Sequence, residues 1–549
     1  MKTPARTLIL LLPLILLLAA CAVPAPLCVQ DAIRYPDDQA LDGGPVQLGV
    51  IDASHLFTND LPEALHTSQA ALAVLDDVRW GYIEPDAPQS GVHAYHWETL
   101  DERVSAYQKA GFDLVMVLRA WNPWARSMGP QGGQAATAAS TPPKAEYMND
   151  YAAWVQAVVE RYDADGVNDF PGLIDVNGDG QIDPIRYIQI ETDATTGISW
   201  QGSAPVDTAA EYISLLRVAK TAVQRASSQA RVIMAGTTAV DLLDHYPTAT
   251  DLQDTVTEIN PAVCGSLTAF QQIVAATDAY DIIAVHSMAD YTGLPTLGQW
   301  LATLTTDKPV WIMGATSAPA LTADPQIISV HALYPAQGEA LWNSLKDLTA
   351  ADHEAVLRWY QGEQARLSFK KWVMAAANGF DAIIIGYEQD RPLYTNPTFG
   401  LRDLAFQGLL DEPDDGPPAK RPAIYALAMT QAQLRGYSAV QPMPNFDDGV
   451  YAYQFIVEGQ PVSALWWDDG QAQGPNDSPV SHTIFLRTSQ TSLPLFITPT
   501  QPGQTSPSVQ TLTPENGIIQ LELTETPVII RGEIEAYVPS KVFFPIITR

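Results

Sequence analysis

Glu191 and Asp193 stand two residues apart at the end of Ile185–Ile190, a β-branched and aromatic run that reads as a buried strand. If extended geometry persists past the run, both carboxylates face the same side, where a strand end opens on a cleft. Acids so placed suit proton transfer or nucleophilic displacement once a second carboxylate faces them. Glu388 and Asp390, at the end of a later strand-like run, are the candidates for that second acid.

The elements that must position these acids alternate along the chain. Strand-like segments occur at Gln47–Asp52, Asp77–Tyr82, Asp113–Arg119, Arg186–Glu191, Arg231–Ala235, Tyr280–His286, Lys308–Met313 and Asp381–Tyr387. Between them, Trp97–Gly111, Tyr147–Tyr162, Thr208–Ala226 and Glu354–Asn378 carry apolar residues at helical spacing. Eight such units predict an α/β fold, a (β/α)8 TIM barrel, over 47–437. A doubly wound sheet needs a Gly-rich loop after its first strand, and Asp52-Ala53-Ser54-His55 is not one.

From Pro442 the pattern shifts to short alternating segments separated by Gly, Pro, Asn and Asp. Gly449–Val457, Pro461–Trp467, Thr483–Arg487, Leu493–Thr498, Ile518–Leu523 and Pro527–Arg531 predict a small all-β sandwich over 438–535. A tail, 536–549, carries the apolar run Val542–Thr548, read as an added strand or, less ordinarily, a partner-binding end.

Composition limits the partners. The chain has 549 residues, 46% of them hydrophobic, and 62 acidic against 30 basic residues give a formal net charge of −32. Such a field repels nucleic acid and anionic headgroups and suits neutral ligands. At the N-terminus Lys2 and Arg6 precede the apolar run Leu8–Leu18, too short to span a bilayer as a permanent helix. Leu18-Ala19-Ala20-Cys21 resembles the lipobox of a bacterial lipoprotein signal. The resemblance implies loss of 1–20, lipidation of Cys21, and a chain tethered to the extracytoplasmic face of a membrane by a linker, 21–46. Cys28 and Cys264 remain as either one disulfide or two thiols.

Before the Ile185 strand, Asp175, Asn177, Asp179, Gln181 and Asp183 alternate around a Gly, which is the ligand arrangement of a calcium loop. Arg186 stands where an EF-hand places its bidentate Glu, so the resemblance is to the shorter loops of dockerin and thrombospondin-type repeats. A structural Ca2+ is expected there, with Asp163, Asp165, Asn168 and Asp169 able to add oxygens to the same ion. No organic cofactor is expected.

A wider resemblance covers 47–437. Arg79-Trp80, Glu84-Pro85, Gly91, Tyr95, Trp97 and Leu100-Asp101 resemble the passage after the second strand of clan A glycoside hydrolases. Trp121-Asn-Pro-Trp124 resembles the end of their third strand, Asp193 to Gly202 their fourth, His286 the His ending their sixth, and Lys308–Ile312 the opening of their seventh. An appended sandwich is common in that clan. The resemblance implies a retaining glycosidase using two glutamates about 5 Å apart at the ends of strands four and seven.

This chain departs from the pattern at both ends. Thr192-Asp193-Ala194 stands where the clan has Asn-Glu-Pro, and no carboxylate occurs between Asp307 and Asp324. Three readings follow. The first is a surface-anchored, catalytically degenerate barrel that binds poly- or oligosaccharide. The second is a divergent glycosidase using Asp193 or Glu191 with an acid such as Glu388 or Asp390, and the third a non-catalytic scaffold or adhesion lipoprotein. For a glycan site, Trp121, Trp124, Trp200, His286, Tyr291 and Tyr387 fall at or just after strand ends as platforms, with Arg119 and His286 as polar partners. Glu84 reads as structural, and Trp80 and Trp311 as core.

Overall fold

A computed structural model describes residues 41, 43–53, 60–126, 140–195, 200, 208–238, 261–288, 290–304, 307–317, 319, 321, 337–390, 405–411 and 418–538. Cys21, Cys28 and the run Val542–Thr548 lie outside these residues, as does the side chain of Cys264.

Eight parallel strands build the barrel: β1 Gln47–Asp52, β2 Leu72–Arg79, β3 Asp113–Arg119, β4 Tyr187–Ile190, β5 Arg231–Ile233, β6 Ile283–Ser287, β7 Val310–Ala315 and β8 Ala382–Gln389. β8 pairs with β1, the ladder runs on through β5, and β6 and β7 rejoin β8 from the other side. A parallel bridge from Ile233 to Ile282 closes β5 onto β6. Two short strands, β9 Gly408–Asp411 and β10 Ala419–Lys420, extend the sheet beyond β8.

Alternation along each strand sorts side chains into two layers. Leu72, Val74, Val115, Val117, Ile233, Ala284, Trp311 and Ile384 fill the barrel interior, confirming Trp311 as core. Their neighbours Ala73, Leu75, Leu114, Met116, Val285 and Ile383 pack outward. The outer ring comprises α1 Asp60–His66, α2 Trp80–Ile83, α3 Glu98–Lys109, α4 Met148–Tyr162, α5 Thr208–Ala226, α6 Pro261–Ala275, α7 Leu294–Leu304, α8 Gly338–Lys346, α9 His353–Ala377 and α10 Pro422–Leu434. Among the described residues no helix is long and apolar enough to cross a membrane.

One strand differs from the sequence reading. The second runs over Leu72–Arg79, not Asp77–Tyr82, and Trp80–Ile83 is a helical turn. The apolar stretch Leu72–Leu75 forms the ladder, and the register shifts between Leu75 and Val78, so Asp76 and Asp77 occupy a bulge with Asp77 at φ 68°.

The second domain is a sandwich of two antiparallel sheets. Its larger sheet orders β11 Ala439–Pro442, β12 Val450–Val457, β13 Gln460–Trp467, β18 Val528–Arg531, β15 Leu493–Ile497 and β16 Ser508–Leu512. Its smaller sheet orders β17 Ile518–Leu523, β14 His482–Arg487 and β19 Glu535–Ala536. From Tyr360 on, helix α9 is buried on both sides and docks the larger sheet on the barrel: Trp372 stacks on Phe455 and Phe369 meets Trp466 edge-on.

Candidate functional site

The C-terminal ends of the barrel strands bring together a polar layer contributed by β2 to β7. Arg119 continues the inward parity of Val115 and Val117, so its guanidinium enters the mouth rather than the helix layer. Its Nε donates to Glu191 Oε2 at 2.8 Å and its Nη1 donates to Thr192 Oγ1 at 3.4 Å. On its other side Asp77 Oδ1 lies 3.8 Å from Nη1 and takes a 2.5 Å bond from Arg79 Nε. Burial works against the Arg119 charge, but Glu191, Asp77 and Asp76 outweigh it and hold the guanidinium above its ordinary value.

Glu191 is fully buried and sits in left-handed backbone at φ 62°, an unfavourable conformation for a non-glycine residue. Its second oxygen accepts the Ala120 N–H at 2.6 Å. Burial pushes its carboxyl up, while Arg119 and the Ala120 N–H pull it down. The neighbouring helix steadies this end: the Tyr212 hydroxyl of α5 donates to Ile190 O at 2.7 Å and accepts the Ala235 N–H at 2.6 Å.

Asp193 is also withdrawn. One carboxylate oxygen accepts the Thr195 N–H at 2.9 Å and the other the Thr238 N–H at 3.4 Å, with the side chain buried. His286 Nε2 bonds Thr192 O at 3.0 Å. A carbonyl only accepts, so Nε2 carries the proton, and in the neutral ring Nδ1 is left as the acceptor. That Nδ1 faces β7: a Cβ built on Gly314 meets it at 2.5 Å, and one built on Gly236 meets the far edge of the ring at 2.5 Å. The imidazole thus fills the space between the ends of β5 and β7.

Of the acids expected as partners, neither reaches this layer. Asp390 is held by Arg421, through Nη1 at 3.0 Å and Nη2 at 2.5 Å, and caps the Gly408 N–H at 2.9 Å. Glu388 is buried, accepts the Ala53 N–H at 3.0 Å, and its charge acts on the Tyr107 hydroxyl beside Asp52, on the helix side of the sheet. Both are corrections to the sequence reading, caused by partners distant in sequence.

The aromatic candidates divide. Trp121 is half-buried at the rim, with Tyr82 edge-on at 5.5 Å and the guanidinium carbons of Arg79 and Arg126 at 5.4 and 6.0 Å from its ring centroid. Trp124 is half-buried against Trp80, its Nε1 donating to Glu84 O at 3.1 Å. Tyr387 packs half-buried on the interior cluster. Trp200 is fully buried against Tyr212 and offers no face, and Tyr291 lies away from the mouth, bonding Asp468 Oδ2 of the sandwich at 2.5 Å. Glu84 is structural as expected, accepting Trp80 Nε1 at 2.8 Å and bonding His93 Nδ1 at 2.7 Å.

Sequence reasoning missed three mouth residues. Asp76 accepts Thr192 Oγ1 at 3.4 Å, Asp77 faces Arg119, and Tyr82 is 57% exposed beside Trp121. The parity of Leu72 and Val74 pointed to Asp76. A cavity of about 810 Å3 elsewhere, lined by Pro62, His66, Asp101 and Lys109, lies in the outer helix layer and has none of these groups.

The Asp175–Asp183 loop closes on itself. Asp175 accepts the N–H groups of Gly178, Asp179 and Gly180, and Asp183 those of Val176 and Asn177. Gln108 of α3 ties it down, donating to Asp183 O at 3.1 Å and accepting the Ile174 N–H at 3.2 Å.

The chain is similar in fold to solved glycoside hydrolases. A family 39 glycoside hydrolase from Bacteroides cellulosilyticus WH2 matches with a TM-score of 0.52 at 14% identity, over 89% of this chain and 81% of that one. The GH39 enzyme of Xanthomonas axonopodis pv. citri matches with 0.52 at 11% identity, over 91% and 96%. A monomeric beta-xylosidase from Caulobacter crescentus CB15 matches with 0.51 at 12% identity, over 91% and 98%. No family model and no curated protein matches the chain. These likenesses establish the fold, a glycoside hydrolase-type TIM barrel followed by a β-sandwich.

Proposed function

We propose that this chain binds extracellular oligosaccharides at the barrel mouth and does not cleave them by the retaining two-carboxylate route. The observation that carries the reading is the contact between Gly314 and His286. Retention needs a carboxylate at the end of the seventh strand, facing an acid on the fourth. At that end there is a glycine whose Cβ position abuts His286 Nδ1, and no acid lies between Asp307 and Asp324. The fourth-strand acids are spent on structure, Glu191 on Arg119 and Asp193 on backbone N–H groups.

What remains at the mouth suits recognition. Trp121 and Tyr82 offer apolar faces, and Asp76, Asp77 and Arg79 offer directional polar groups around them. The solved neighbours include a beta-xylosidase, so xylo-oligosaccharides are the first ligands to test. Anchoring through Cys21 belongs to the same proposal and rests on the Leu18–Cys21 sequence.

The experiment combines a glycan array with a panel of aryl glycosides, both read on the secreted form. Binding without turnover is the expected result. Turnover by purified protein that disappears in Asp193→Asn overturns the reading in favour of a divergent glycosidase, and silence in both assays favours a scaffold.

A further inference from the structure

Helix α4 ends at Tyr162, and the next residues, Asp163-Ala164-Asp165-Gly166-Val167-Asn168-Asp169, fold into a tight loop before Phe170 returns to bond Arg161 O at 2.8 Å. Ligand oxygens of Asp163, Asp165 and Asp169 all fall within 4.8 Å of one another. Some of their bonding capacity is used locally: Asp165 Oδ1 accepts the Val167 N–H at 2.8 Å and Asp169 Oδ2 the Gly166 N–H at 2.7 Å. Two of the other oxygens are buried without a partner. Asp163 is 7% exposed, and its Oδ1 is buried with no hydrogen-bond partner; Asp169 Oδ1 is in the same state.

This is a costly arrangement as it stands. A buried carboxylate oxygen without a donor has given up its hydration with nothing in return. Three acids crowd at the C-terminal end of a helix, where the backbone dipole already favours positive charge. No Lys or Arg pairs with them among the described residues. Arg161, two positions from Asp163, is turned to Asp101, with Nε at 2.8 Å and Nη2 at 2.5 Å, and its guanidinium lies over Trp97 and Phe170.

We propose that Asp163, Asp165 and Asp169 hold one calcium ion. A hard divalent cation with oxygen ligands answers both features at once, the orphaned oxygens and the unneutralised charge, and backbone carbonyls and water complete its six to eight ligands. The site is distinct from the Asp175–Asp183 loop, whose carboxylates accept that loop's own N–H groups. The ion pins the end of α4 to the segment that leads, through Ile185, into β4 and the barrel mouth.

Calcium chloride titrated into the chelator-treated full chain, read by isothermal calorimetry and by melting temperature, tests this. One ion per chain is expected, with a higher Tm in calcium. Asp169→Asn should weaken binding about tenfold or more, while Asp179→Asn leaves it unchanged. Asp163→Asn should lose binding yet melt no lower than wild type in chelator, because it removes like-charge crowding; that readout separates a lost ligand from a lost fold. No binding at millimolar calcium, or loss in Asp179→Asn with retention in Asp169→Asn, overturns the assignment, as does magnesium binding of equal strength.

Discussion

Arg119 Nε and Glu191 Oε2 meet at 2.8 Å across β3 and β4, with both side chains withdrawn from solvent. Removing one member of a buried pair leaves the other charged without its partner, a loss of about 3–5 kcal/mol. Arg119→Met should therefore lower stability by roughly that amount, and the double variant Arg119→Met, Glu191→Met should recover most of it. Urea unfolding checks both; a single variant as stable as wild type would show the pair to be idle.

Gly314→Glu should not restore hydrolysis. Its Cβ would lie 2.5 Å from His286 Nδ1, so the imidazole must move, and overpacking of this kind costs about 1–3 kcal/mol. The expected outcome is a lower Tm with no turnover of aryl glycosides. Wild type, treated with a mechanism-based fluoro-glycoside and digested, should carry no adduct on 308–323; a labelled peptide there means that a nucleophile has been overlooked.

Trp121→Ala should weaken oligosaccharide binding by roughly tenfold, about 1.4 kcal/mol, and leave the melting temperature nearly unchanged. Trp200→Ala should do the reverse, because truncating a fully buried Trp costs about 3–5 kcal/mol of stability. Affinity and melting curves on the two variants separate the rim residue from the core one.

Where the barrel meets the sandwich, Glu525 shares a cavity of about 120 Å3 with Asp290, Glu363, Asp468, Arg366 and Lys370. Burial and then the Glu363 charge push the Glu525 carboxyl up to about 7, against Lys370 and Arg366. An acid whose folded value is raised contributes stability below its unfolded value, near 4.3, and loses it as pH rises through about 7. Glu525→Gln should melt higher than wild type at pH 8, and the difference should vanish by about pH 4. Equal melting temperatures at both pH values would mean that the ionised group is compensated at the interface.

Much of this was legible in the chain. Seven of the eight barrel strands fall where β-branched runs predict them, and Arg119 and His286 were found because each ends a strand-like run. What hid the rest was departure from regular geometry or a partner far along the chain. Strict alternation would have sent only Asp76 inward, and the bulge brings Asp77 to Arg119 as well, while Tyr82 rides on a helical turn read as strand. Asp390 looked available because Arg421 lies 31 residues on, and Tyr291 because Asp468 lies 177 residues on in another domain. Asp163 and Asp169 were visible as acids, but only burial shows that their oxygens are orphaned.

From Tyr360 on, helix α9 has little solvent side to spare: the barrel takes one face, and Phe455 and Trp466 of the sandwich take another. The sandwich is therefore not a detachable module strung behind an independent barrel. Excising it would uncover Phe369 and Trp372, which are fully buried, and turn that part of the helix into a sticky surface. A truncation at the domain boundary therefore calls for polar residues at Phe369 and Trp372 at the same time.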